Sequence, residues 1–127
     1  MPAIALTEET FETTIASGIV LVDCWAEWCG PCRRFGPIFE AAADRHPDVV
    51  FAKVDTQAEE ELAGELGIRS IPTLMIFRDG ILLFAQPGML PAEALDELVA
   101  KTRALDMDQV RARIAAGPPD PADDGSR

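Results

Sequence analysis

Ile19-Val20-Leu21-Val22-Asp23-Cys24-Trp25-Ala26-Glu27-Trp28-Cys29-Gly30-Pro31-Cys32 carries two structural signals back to back. From Ile19 to Trp25 the run is apolar except for Asp23, the pattern of a short strand buried on both faces. An acid inside such a run is anomalous. Pro31 then stands where a helix would begin, and Phe35, Ile38, Phe39 and Ala42 recur at helical spacing as far as the Arg45-His46-Pro47 stop. The Cys29-x-x-Cys32 pair therefore falls where a strand ends and a helix starts.

Outward from this segment, strand and helix signals alternate. Before it, Thr7 is placed to cap a helix with Glu8 and Glu9 in its first turn, Phe11 and Ile15 on one face, and Gly18 as its stop. After it come a β-branched run over Val49–Val54 and a helical pattern over Gln57–Leu66 that Gly67 ends. Such alternation is that of a parallel sheet with crossover helices. Thr73–Phe77 and Ile81–Ala85 are separated by Arg78-Asp79-Gly80, a hairpin signal that makes these two strands antiparallel. Pro91 opens an amphipathic helix with Leu95, Leu98 and Val99 on its apolar face, although Leu90 is a poor cap for it. Asp106 and Gln109 then form a capping-box-like start for a short helix that carries Met107, Val110 and Ile114 on one stripe and closes at Gly117. Residues 117–127 are rich in proline and acid, with nothing larger than alanine to bury, and read as disordered.

Composition narrows the function. A chain of 127 residues with 48% hydrophobic and 26% charged residues holds one ordinary core. Its 22 acidic against 11 basic residues give a net charge of -11, which argues against a phosphate backbone or an anionic membrane as partner. The start, Met1 to Glu9, lacks the basic and apolar regions of a secretory signal, and no stretch approaches a membrane span, so a cytoplasmic protein is expected. Three cysteines are too few for a disulfide framework, and in such a chain a Cys-x-x-Cys pair means redox or metal chemistry.

Zinc needs two more ligands, and only Cys24, His46 and scattered carboxylates offer themselves. Cys24 lies inside a strand and His46 at the far end of a helix, so no metal is expected. Redox chemistry fits the placement better. At a helix N-terminus, unpaired N–H groups and the positive end of the dipole stabilise a thiolate at Cys29, which makes it the expected nucleophile. Cys32, three residues on, shares its helix face and is the expected resolving thiol, in what reads as an exposed turn. Asp23 is expected beneath the motif, where burial raises its pKa and suits it to exchange a proton with Cys32, unless it is only a structural acid satisfied by backbone or by Lys53. Cys24 reads as a buried, inert thiol, Trp25 as packed support, and His46, Met75, Met89 and Met107 as helix-end or packing residues.

Val22 to Cys32 as a whole resembles the redox segment of the thioredoxin family. Pro37, Lys53, Ile71-Pro72-Thr73 and Gly88 match that family in order and approximate spacing. The resemblance implies a three-layer α/β/α thioredoxin fold with a central mixed five-stranded sheet over residues 1–105, followed by an accessory helix at 106–116 and the tail at 117–127. It further implies a cis bond at Ile71-Pro72 and a docking surface of Trp28, Gly30, Pro31, Ile71, Pro72 and Gly88 around Cys29. The implied activity is reduction of protein disulfides by a monomer that binds no cofactor and is recycled by an NADPH-dependent thioredoxin reductase, with a disulfide isomerase or a redox-independent binding or chaperone module as alternatives. For thioredoxin itself, a thiol pKa of about 7 against about 8.5 for free cysteine raises the thiolate fraction roughly 16-fold near neutrality. Nucleophilicity falls about fivefold with the same change, so substrate placement has to supply more of the rate than acidity does.

Overall fold

A computed structural model describes residues 3–117. Its five strands are β1 (Ile4–Ala5), β2 (Ile19–Trp25), β3 (Val50–Asp55), β4 (Thr73–Arg78) and β5 (Ile81–Pro87). The helices are α1 (Glu8–Ile15), α2 (Gly30–Arg45), α3 (Glu60–Glu65), α4 (Ala92–Ala104) and α5 (Met107–Ala116). The strands form one sheet in the order β1-β3-β2-β4-β5. The β1–β3 and β2–β3 pairs are parallel, and the β2–β4 and β4–β5 pairs are antiparallel. This is the expected mixed five-stranded sheet.

Alternation along β2 sorts its side chains into two cores, because successive residues of a strand point to opposite faces. Val20, Val22 and Cys24 join Phe11 and Ile15 of α1 and Leu62 of α3 on one side. Leu21 packs on the other side with Phe35, Phe39, Ala42 and Ala43 of α2 and Leu95 and Val99 of α4. Asp23 and Trp25 have the parity of Leu21 and so face α2. The anomalous acid thus points toward the helix that carries the cysteines.

Local chemistry accounts for the element ends. Thr7 and Thr10 form a reciprocal capping box at the start of α1. The β4–β5 turn has positive φ at both Asp79 (53°) and Gly80 (82°), as a two-residue hairpin that follows the sheet twist requires. Two sequence expectations shift. The helix expected over Gln57–Leu66 is only Glu60–Glu65, because the Asp55 carboxylate accepts the amides of Gln57 and Ala58 and holds those residues in a turn. Pro91 is the residue before the first turn of α4, in extended conformation, so Leu90 has no capping part. β1, two exposed residues long, carries no periodicity and is fixed only by its register, Ile4 opposite Ala52 and Ala5 opposite Lys53.

The Asp106 side chain accepts the amides of Asp108 and Gln109 and starts α5. The apolar stripe expected to dock this helix does so only at its beginning. Met107 is buried and Val110 half-buried, but Ile114 is 57% exposed. Polar contacts make the rest of the join. The Arg78 guanidinium donates to the Thr102, Arg103 and Leu105 carbonyls at the end of α4, and Arg111 pairs with Asp79 at 3.3 Å. The proposed tail lies outside the described residues apart from Gly117.

Candidate active site

Cys29 caps the N-terminus of α2 and is bonded to Cys32 in a disulfide, with Cα atoms 5.2 Å apart. Its sulfur accepts the backbone N–H of Cys32 at 3.1 Å, one of the donors that a helix start leaves without a partner in the helix. Once the disulfide is reduced, the same donor and the helix dipole are in place for a Cys29 thiolate. The motif is less open than the sequence suggested. Both cysteines are only 4% exposed and pack with Ala26, Trp25 and Ile71. The exposed part is the rim, where Trp28 is 65% exposed and Pro31 also faces solvent.

The segment before β4 comes up against the cysteines. The Ile71–Pro72 peptide bond is cis, and the Ile71 carbonyl oxygen lies 3.8 Å from the Cys29 sulfur. In the disulfide Cys29 has no S–H, so this is a van der Waals approach that becomes a possible hydrogen bond on reduction. Gly88 follows β5 with φ of 101°, a conformation that strains any residue with a side chain, and its amide donates to the Pro72 carbonyl at 2.8 Å. Pro72 is buried, Ile71 and Gly30 are half-buried, and Gly88 is exposed. Trp28, Gly30 and Pro31 thus come from the start of α2, whereas Ile71, Pro72 and Gly88 come from the segments flanking β4 and β5.

Beneath them, Asp23 is fully buried, and neither of its carboxylate oxygens has a hydrogen-bond partner among the described residues. Burial first of all pushes its pKa up from the ordinary 3.8 to about 7. Lys53 opposes that rise and Glu40 adds to it. Lys53 stands opposite Asp23 in the β2–β3 register, but its ammonium lies 4.9 Å above the Trp25 ring and bonds neither carboxylate oxygen of Asp23. Trp25 is half-buried between the disulfide and this ammonium.

The structure does not bring every singled-out residue to this place. Cys24 points into the core on the α1/α3 side, where burial and then the Asp23 charge push its thiol up to about 12. His46 caps the far end of α2, 2.7 Å from Asp96, with its ring stacked on Phe51. Met75 and Met107 are packing residues, but Met89 is exposed beside Gly88. Among the described residues no three His, Cys, Asp or Glu side chains gather as a metal site. The sequence reading passed over Glu40. Cys32, Gly36 and Glu40 recur every four residues, so the shared face of α2 was legible, but the negative charge on it was not recognised as close enough to act on Asp23.

Known proteins share both the sequence and the architecture. The family model for thioredoxin matches residues 2–101. The putative thioredoxin 2 of Streptomyces coelicolor is 54% identical over 113 residues, covering 88% of this chain and 84% of the relative. A match of that length is longer than residues 1–105 and so runs into the C-terminal extension. The thioredoxin of Bacillus subtilis is 38% identical over 102 residues, 80% of this chain and 98% of its own. A solved structure of Plasmodium falciparum thioredoxin agrees with a TM-score of 0.72 at 32% identity, covering 78% of this chain and 98% of that one. A Cys-x-x-Cys disulfide opening a helix, on a sheet of this order and with relatives of this similarity, makes the chain a member of the thioredoxin family of protein-disulfide oxidoreductases.

Proposed function

We propose that this oxidoreductase reduces client disulfides with Cys29 as attacking thiol, Cys32 as resolving thiol and Asp23 as proton acceptor. In the reduced protein the Cys29 thiolate attacks one sulfur of a client disulfide. A Cys29–client bond forms as the client bond breaks, and the released client thiolate takes up a proton. Cys32 then passes its proton to Asp23 and attacks the Cys29 sulfur. This expels the second client thiolate and leaves the Cys29–Cys32 disulfide, so the client gains the two electrons that the pair loses. The observation that carries the reading is the disulfide itself, held at the start of α2 with the Cys32 amide on the Cys29 sulfur.

Trp28, Gly30, Pro31, Ile71 and Gly88 form the rim on which an extended client segment docks, with the buried Pro72 supporting it from below. Lys53 favours the ionised form of Asp23 without a hydrogen bond to it. A monomer suffices, because every group named comes from one chain. We place the reaction in the cytoplasm, where dithiols are kept reduced, with clients bearing accessible disulfides and an NADPH-dependent thioredoxin reductase as partners. Neither nucleic acid nor a membrane takes part; no helix among the described residues is long and apolar enough to cross a membrane. The chain itself binds no cofactor in this scheme, since the flavin and nicotinamide chemistry belongs to the reductase. Residues 1–105 form the catalytic domain, and the helix at 106–116 is an accessory to stability.

The test is reduction of a disulfide-bonded model protein, driven by NADPH and a thioredoxin reductase. Turnover that depends on both Cys29 and Cys32 is expected. A folded, reduced chain that binds clients without reducing them would assign it instead to the binding modules built on this fold.

A further inference from the structure

We propose that Glu40 is a positioning residue for the resolving step, a carboxylate anchored on α2 that, together with Lys53, sets the field in which Asp23 takes the proton of Cys32. The inference rests on the reading of Asp23 as proton acceptor. Cys32, Gly36 and Glu40 lie one above another on successive turns of α2. At Gly36 the missing side chain leaves room for Lys53, whose ammonium is 3.8 Å from where a Cβ would stand. One turn further on, the Glu40 carboxylate accepts the Ala3 amide at 2.6 Å. Ala3 and Lys53 line the same groove of about 280 Å³, together with Trp25 and Asp55. The anchored Glu40 carboxylate therefore stands one turn of α2 beyond Gly36, the point at which the Lys53 ammonium approaches the helix.

Among the described residues, the charged groups that act on Asp23 are Lys53 from β3 and Glu40 from α2, and the Cys24 thiol is the next residue of β2. From β4 the residue opposite is Leu74, and α4 contributes Leu95 and Val99 to this side of the sheet, all apolar. In such surroundings a distant carboxylate is poorly screened. Glu40 opposes ionisation of Asp23 and Lys53 favours it, with Lys53 the stronger of the two. The anchoring matters because a mobile glutamate would turn to solvent and lose its effect.

Glu40→Gln separates charge from anchoring, because its amide oxygen can still accept the Ala3 N–H, whereas Glu40→Ala loses both. Two readings are needed in the reduced protein: the ¹³C titration of the Asp23 carboxyl by NMR, and the pH dependence of single-turnover release of a client from the Cys29 mixed disulfide. The expected result is that Glu40→Gln moves the Asp23 midpoint to lower pH and carries the acid limb of the release rate with it, while Lys53→Met moves both upward by more. If Glu40→Gln leaves the midpoint unchanged and only Glu40→Ala loses stability, Glu40 merely ties β1 to α2 and the inference fails on its own account. If the midpoint moves but the release rate does not follow, it fails through its premise, the proton role of Asp23.

Discussion

Asp23 and Lys53 face each other across the β2–β3 pair, yet the lysine ammonium lies over the Trp25 ring and leaves both Asp23 oxygens without a hydrogen bond. A buried carboxyl in that position is held back from ionising, and the fold loses stability whenever the pH forces the charge on it. This makes Asp23 a destabilising residue at neutral and alkaline pH. Such a group persists at functional sites, where its chemistry outweighs its effect on stability.

Asp23→Asn should therefore stabilise the oxidised protein in a pH-dependent way. The folded-state pKa, about 7, lies above the ordinary 3.8, so the native state binds more protons than the unfolded state between those values. Parent stability falls as the pH rises through that window and stays lower above it. The gain from Asn is expected to be absent below about pH 4 and to grow to a few kcal/mol above pH 7. Denaturant melts at pH 4, 6 and 8 check it, and a gain of equal size at all three would show that burial does not raise this carboxyl.

Cys32→Ser should accumulate covalent mixed disulfides with clients, because the attacking thiol remains while the resolving one is gone. Cys29→Ser should trap none. Non-reducing gels after incubation with a disulfide-bonded client read the outcome, and equal trapping by the two variants would reverse or erase the assigned roles.

The Cys24 thiol, fully buried and pushed up to about 12, is expected to resist alkylation in the native protein at neutral pH and to react at once when the chain is unfolded. Mass spectrometry of iodoacetamide-treated protein, with and without denaturant, distinguishes the two states. Native labelling at the rate of a free cysteine would contradict an inert core thiol.

At the C-terminal extension the two polar anchors should differ in weight. Arg78→Ala leaves carbonyls at the end of α4 without their charged donor and should cost about 2 kcal/mol. Met107→Ala should cost a similar amount, about 2 kcal/mol, for the cavity it leaves. Removal of the half-exposed Arg111–Asp79 pair by Arg111→Ala should cost less than about 1 kcal/mol. Thermal melts rank the three, and disulfide reduction well below each midpoint should match the parent. A selective loss of activity in any of them would give the extension a part in client or reductase binding.

Much of this molecule was legible in local sequence. The strand-to-helix junction at Cys29, the hairpin at Asp79-Gly80 and the apolar faces of α1, α2 and α4 follow from periodicity and from what glycine and proline do to the backbone. Where local signals competed, the reading slipped. Asp55 captured two amides and shortened α3, and β1 was too short to carry any pattern. The stripe on α5 was read correctly as a stripe but not as one whose burial falls away along the helix, because the position of its partner surface is a property of the hairpin and α4.

By itself, then, the chain determines that two cysteines open a helix and that an acid lies inside the preceding strand, whereas the cis bond at Ile71-Pro72 was implied only by the family resemblance. Tertiary structure alone decided that both cysteines are nearly covered while Trp28 stands open, that Lys53 turns to Trp25 and leaves Asp23 unpaired, and that Glu40 is tied to Ala3. The physical reason is the range of the interactions. Backbone conformation and face are set by residues within a few positions of one another, whereas burial, pairing and electrostatic field depend on which distant segments the packing of helices against the sheet brings within a few ångströms.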